Sequence, residues 1–113
     1  MCRPLPVEKY GRIYACAQKN AGPAGVTIVI IRDDLLERSE GSLPGYLNYK
    51  SHADNDSMFN TPPTFAIYMV NLVARWLLND MGGLDNIYAR NLEKAKRLYD
   101  IIDGSDGFYT GHA

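Results

Sequence analysis

A chain of 113 residues, 46% hydrophobic and 22% charged, has the composition of a folded globular protein and not of a disordered one. A formal net charge of −1, with both signs interleaved, leaves no basic footprint for nucleic acid or for an anionic membrane. Residues 1–6 lack an apolar h-region, which argues against a secretory signal. The longest apolar stretch, 65–78, is broken by Asn71 and Arg75 and falls short of the ~20 residues of a bilayer span. Cys2 and Cys16 show no metal-ligand spacing and read as thiols of a reducing compartment, so a cytoplasmic location is expected.

In chain order, residues 13–17 are short and apolar and predict a buried strand. Residues 26–32, β-branched almost throughout and without alternation, predict a second strand covered on both faces. Between them lies a turn-rich connector, 18–25, with Gly22, Pro23 and Gly25. Asp33 is placed to cap a short helix over 34–38, with acids in the first turn. Residues 39–61 carry Gly41, Pro44, Gly45 and a polar cluster with no sustained period, so they read as one long loop.

A helix is expected to start at Pro62–Pro63, with Phe65, Met69, Leu72, Val73 and Trp76 on its apolar face, and to stop at Gly82–Gly83. So apolar a helix should be mostly covered by other structure. A second helix is expected over 84–103, with a stripe from Leu84 and Ile87 to Ile102 and a Glu93–Arg97 pair on its charged face. Two strands and two long helices make an α/β chain. A strand that reads as central, in so small a sheet, predicts that the rest of the sheet lies outside these residues.

Lys19 directly follows a strand and opens a glycine-rich turn, the place where α/β sheets bind ligands. A partly desolvated lysine there can form a Schiff base with an aldehyde cofactor, whereas the ordinary fate of a lysine is solvated surface. Gly22–Gly25 either offers backbone N–H groups to a phosphate or is a plain turn, and Pro23 removes one donor. Asn60 and Thr61 stand before a helix start, where an amide and a hydroxyl suit an anion, or where Thr61 simply caps. Asp54–Asp56 fails as a calcium loop, because Phe59 and Phe65 stand where a Gly and a Glu are required. No metal site is assigned, and His52 and His112 receive no role.

The stretch Tyr14-Ala15-Cys16-Ala17-Gln18-Lys19-Asn20-Ala21-Gly22-Pro23-Ala24-Gly25 closely resembles the cofactor-lysine motif of the phosphoserine aminotransferase family, class V aminotransferases dependent on pyridoxal 5'-phosphate (PLP). Residues 53–65, Ala-Asp-Asn-Asp-Ser-Met-Phe-Asn-Thr-Pro-Pro-Thr-Phe, resemble that family's loop into a long helix, and the Gly82–Gly83 pair and residues 98–103 agree in order and spacing.

The resemblance implies part of the large PLP-binding domain of a fold-type I aminotransferase over residues 1–104, and over 105–113 the start of a link to a C-terminal small domain. It implies that Lys19 forms the Schiff base with PLP and shuttles a proton, and that Gln18 contacts the cofactor phosphate. Asn60 and Thr61 would reach the phosphate bound in the opposite subunit of a homodimer with a shared active site. The implied reaction passes an amino group between glutamate and 3-phosphohydroxypyruvate in serine biosynthesis, and in many bacteria also serves vitamin B6 synthesis. Neither nucleic acid nor membrane is an expected partner.

Two departures stand against this likeness. Cys16 occupies a position where the family usually has glycine. The family's aspartate for the pyridine nitrogen, its ring-stacking aromatic residue and one substrate arginine would precede Met1, and a later arginine would follow Ala113. The chain alone is therefore expected to have little or no transaminase activity. The alternatives are a non-catalytic remnant or dimerising α/β module, and a phosphate-binding module that uses Gly22–Gly25.

Overall fold

The computed structural model describes residues 3–39 and 41–111; Cys2 and His112, named above, lie outside them. The chain forms two units, one of Leu5–Ala74 and one that runs from Arg75 onward together with Arg3 and Pro4.

In the first unit, strands β1 (Arg12–Ala17) and β2 (Val26–Ile31) pair antiparallel, in a register that sets Arg12 opposite Ile31 and Ala17 opposite Val26. The Arg32 N–H donates to the Gly11 carbonyl at 2.9 Å and continues the pairing past the strand end. A side chain at Gly11 would meet Leu35 Cδ1 at 2.8 Å, so glycine lets the strand start lie against α1 (Asp33–Glu37). Asp33 is the first residue of α1 and not its cap. The cap position is Arg32, in extended conformation, whose guanidinium instead pairs with Asp34.

The expected long loop contains two short elements. A 3-10 turn over Gly45–Leu47 leads into α2 (Tyr49–Ala53). Buried Asn48 caps α2 by accepting from the Lys50 N–H at 2.9 Å. Elements of three and five residues are too short to impose a hydrophobic period, so the pattern read as loop. Lys50 Nζ stands 3.8 Å from Glu37 and 3.7 Å from Asp54.

Helix α3 (Thr64–Asn79) begins just after Pro62–Pro63, and the Ile67 N–H donates to the Pro63 carbonyl. It ends earlier than its glycines suggested. The Gly83 N–H returns to the Leu77 carbonyl at 2.9 Å, and Gly82 and Gly83 hold φ of 73° and 90°. Such a closure needs residues without a Cβ penalty in the left-handed region.

In the second unit, α4 (Leu84–Asp103) has the predicted bounds. Its exposed face carries the Glu93–Arg97 pair and a Lys96–Asp100 pair at 2.6 Å. The Gly104 N–H donates to Asp100 O and closes the helix, and the Ser105 hydroxyl then donates to Ile102 O while accepting from the Tyr109 N–H.

Among the described residues the buried apolar side chains are Ala17, Ala66 and Ile87. Cover on both faces of β2 is not provided within the chain: Ile28, Val29 and Ile30 are 45%, 39% and 48% exposed. Nor is α3 covered, with Phe65 and Leu78 exposed at 74% and 69%. A single pair of strands supplies no second layer to either element. Apolar area on this scale is the mark of a surface that packs against something. No helix among the described residues is long and apolar enough to cross a membrane.

Candidate active site

The strand β1 delivers Gln18 and Lys19 to the first positions of the 18–25 connector, and both side chains are exposed. Ala17, just before them, is 1% exposed and is the one buried residue of β1, which is otherwise largely exposed and not the buried strand expected. The connector is held at Gly22. A Cβ there would lie 2.7 Å from Val70 Cγ2 on α3, a contact that only glycine permits without displacement. Gly25 turns the chain back into β2 at φ 107°.

Asn60 and Thr61 are also exposed, in the extended lead-in to α3. The connector approaches α3 at Val70, and a rise of about 1.5 Å per residue sets Thr64, the first residue of that helix, roughly 9 Å along the axis from there. Among the described residues, no side-chain hydrogen bond or ion pair engages Gln18, Lys19, Asn60 or Thr61.

The donor set fits PLP. An amine unpaired with any acid among the described residues suits a carbonyl, and two amides and a hydroxyl without protein partners suit a phosphate.

Cys16 faces the same side of the sheet as Tyr14. Its sulfur is 3.3 Å from the Thr27 hydroxyl, directly across the strand pair. The thiol in the glycine position therefore has a cross-strand partner.

The class-V aminotransferase model matches residues 1–113 in full. The chain belongs to the class-V aminotransferase family. It is 63% identical over 113 residues to a phosphoserine aminotransferase of Rhodopirellula baltica, covering 100% of this chain and 30% of that relative. Among solved structures it resembles phosphoserine aminotransferase from Bacillus circulans subsp. alkalophilus, with TM-score 0.88 and 48% identity over 95% of this chain and 29% of that one. It also resembles PLP-bound phosphoserine aminotransferase from Trichomonas vaginalis, with TM-score 0.81 and 48% identity over 90% and 28%. The α/β arrangement of two strands and two long helices is thus that of this class-V aminotransferase fold, and the chain spans about 30% of the length of the relatives it matches.

The motif reading overlooked a cluster beside Asn60. His52, left without a role above, lies edge-on to Tyr46 and to Phe59, with ring centroids 6.2 and 5.8 Å away. Nothing in the spacing of these residues announces it, because the short elements that bring them together carry no period of their own.

Proposed function

We propose that this chain supplies the cofactor-lysine segment of a PLP-dependent transaminase that converts glutamate and 3-phosphohydroxypyruvate to 2-oxoglutarate and O-phosphoserine. The carrying observation is Lys19, unpaired and exposed at the end of β1, inside a motif carried by a chain of this family.

In this reading, Lys19 Nζ holds the cofactor covalently and moves the proton to and from the substrate carbon. Gln18 donates to the cofactor phosphate. Asn60 and Thr61 bind the phosphate held by a second copy. The whole protein is then a homodimer with shared sites, cytoplasmic, working in serine biosynthesis and in many bacteria also in pyridoxine synthesis. When bound, PLP supplies an electron sink for charge developing on the substrate. Residues 1–104 belong to the large domain and 105–113 begin the link to a small one.

The test is borohydride reduction of the full-length protein with PLP, followed by peptide mass mapping. The reading predicts a reduced adduct on the peptide that contains Lys19 and its loss in Lys19→Ala. A protein that binds PLP but is labelled elsewhere would remove the reading.

The exposed faces of β2 and α3 favour one second reading for the 113-residue chain by itself, a non-catalytic module that self-associates. Sedimentation of the isolated chain tests it: self-association without PLP binding supports the module, and a monomer refutes it.

A further inference from the structure

The segment that ends in Asn60 and Thr61 is shaped by contacts that the motif reading does not use. After α2 the chain reverses sharply. The Ser57 N–H donates to the His52 carbonyl and the Met58 N–H to the Asn55 carbonyl, both at 2.8 Å. Asp56 and Ser57 take φ of 51° and 64°, left-handed values that non-glycine residues seldom adopt. Such strain persists only where surrounding contacts impose it.

Here the reversal carries Phe59 back onto His52, edge-on, and against Gly45, where a Cβ would stand 2.6 Å from Phe59 Cζ. His52 Nε2 hydrogen-bonds to the Tyr46 carbonyl at 2.9 Å, which ties the ring to the 3-10 turn. Phe59 immediately precedes Asn60, so the edge-on ring contact anchors the residue next to the two candidate phosphate ligands.

We propose that His52 is a positioning residue: clamped between Tyr46 and Phe59, it sets the direction in which Asn60 and Thr61 are presented to the cofactor phosphate. The inference rests on the reading of Asn60 and Thr61 given above. Rings meeting edge to face attract one another beyond the area they bury, and a donor aimed in advance at an anion loses less freedom on binding.

The test compares two probes on the full-length protein, pyridoxal phosphate and pyridoxal, which lacks the phosphate. Dissociation constants come from cofactor absorbance and tryptophan fluorescence. His52→Ala is expected to weaken pyridoxal phosphate about tenfold, and pyridoxal by less than about twofold. His52→Phe, which keeps a ring on Phe59, should recover most of the loss. The double variant His52→Ala/Thr61→Ala should weaken binding by less than the product of the single effects.

Equal weakening of both probes, or none, in His52→Ala would overturn the proposal, since a merely structural residue does not discriminate the phosphate. Should His52→Ala not fold, Gly45→Ala perturbs the same stack by displacing Phe59, and the same phosphate-selective loss is expected or the proposal fails. Asn60→Ala and Thr61→Ala that leave pyridoxal phosphate affinity unchanged would instead sink the phosphate reading itself, a failure visible without any His52 variant.

Discussion

The unit of Leu5–Ala74 and helix α4 solve different problems with the same twenty side chains. All four candidate site residues lie in the first, in irregular backbone: Gln18 and Lys19 on the connector, Asn60 and Thr61 on the lead-in to α3. Helix α4 holds no candidate. Its order rests on side-chain pairs one turn apart, on closure at Gly104 and on the burial of Ile87. The first unit is held instead by contacts between its elements, the β1–β2 pairing and close approaches such as Gly22 on Val70 and Gly45 on Phe59. The candidate residues thus lie where the backbone is free of a helix's own hydrogen bonds, and close approaches that a methyl group would spoil help to place the segments that carry them.

Variants can break this contrast. The largest effect is expected from Lys19→Ala, which should lower turnover of the full-length protein on the order of 10²–10⁴-fold or more while the circular dichroism spectrum is unchanged. A parallel loss of helix content would mean that Lys19 is structural. Ile87→Ala should do the converse, costing about 2–5 kcal/mol in denaturant unfolding with the cofactor-lysine adduct intact, because Ile87 is the buried side chain of α4. Gly22→Ala should destabilise by about 1–3 kcal/mol, and Val70→Ala in the same protein should return part of it, if the approach to Val70 is what fixes the connector.

Glu93→Ala should cost only about 0.3–0.5 kcal/mol, and less in high salt, since its pair with Arg97 is exposed. The smallest effect concerns Asp34. The hydrogen bond from Arg32, aided by the charges of Arg32 and Arg38, holds its carboxyl below the ordinary carboxylate range. A depressed value means that the contribution to stability is present above the ordinary carboxylate pKa and is lost as pH falls through the lowered one. Titration of Asp34 by NMR should show that lowered value, and Arg32→Ala should raise it toward the ordinary one.

The same contrast governs what the sequence made legible. The bounds of α4 were readable because glycines flank a twenty-residue period. Both strands were readable within a residue, the first from a short apolar run after Gly11 and the second from a β-branched run. The helix α2 was not, although Asn48 before Tyr49 is an N-cap signal that a closer reading of residues 45–53 contains. Lys19 was singled out by its place after a strand, but the His52 ring stack depends on a chain reversal through Asp56 and Ser57, residues with no intrinsic preference strong enough to announce left-handed backbone. The smallness of the sheet placed the cover of β2 outside these residues, in keeping with the exposure of Ile28, Val29 and Ile30. Composition records that Ile28–Ile30 favour burial, and it says nothing of which residues bury them.

The direct antiparallel pairing of β1 with β2 has a consequence for timing. The connector between them is short, and hairpins of this kind close in about 1–10 μs, whereas a ribosome adds about 5–20 residues each second. The loop bearing Lys19 therefore takes its course from a pairing local in sequence, one that can form without waiting for the lead-in at Asn60.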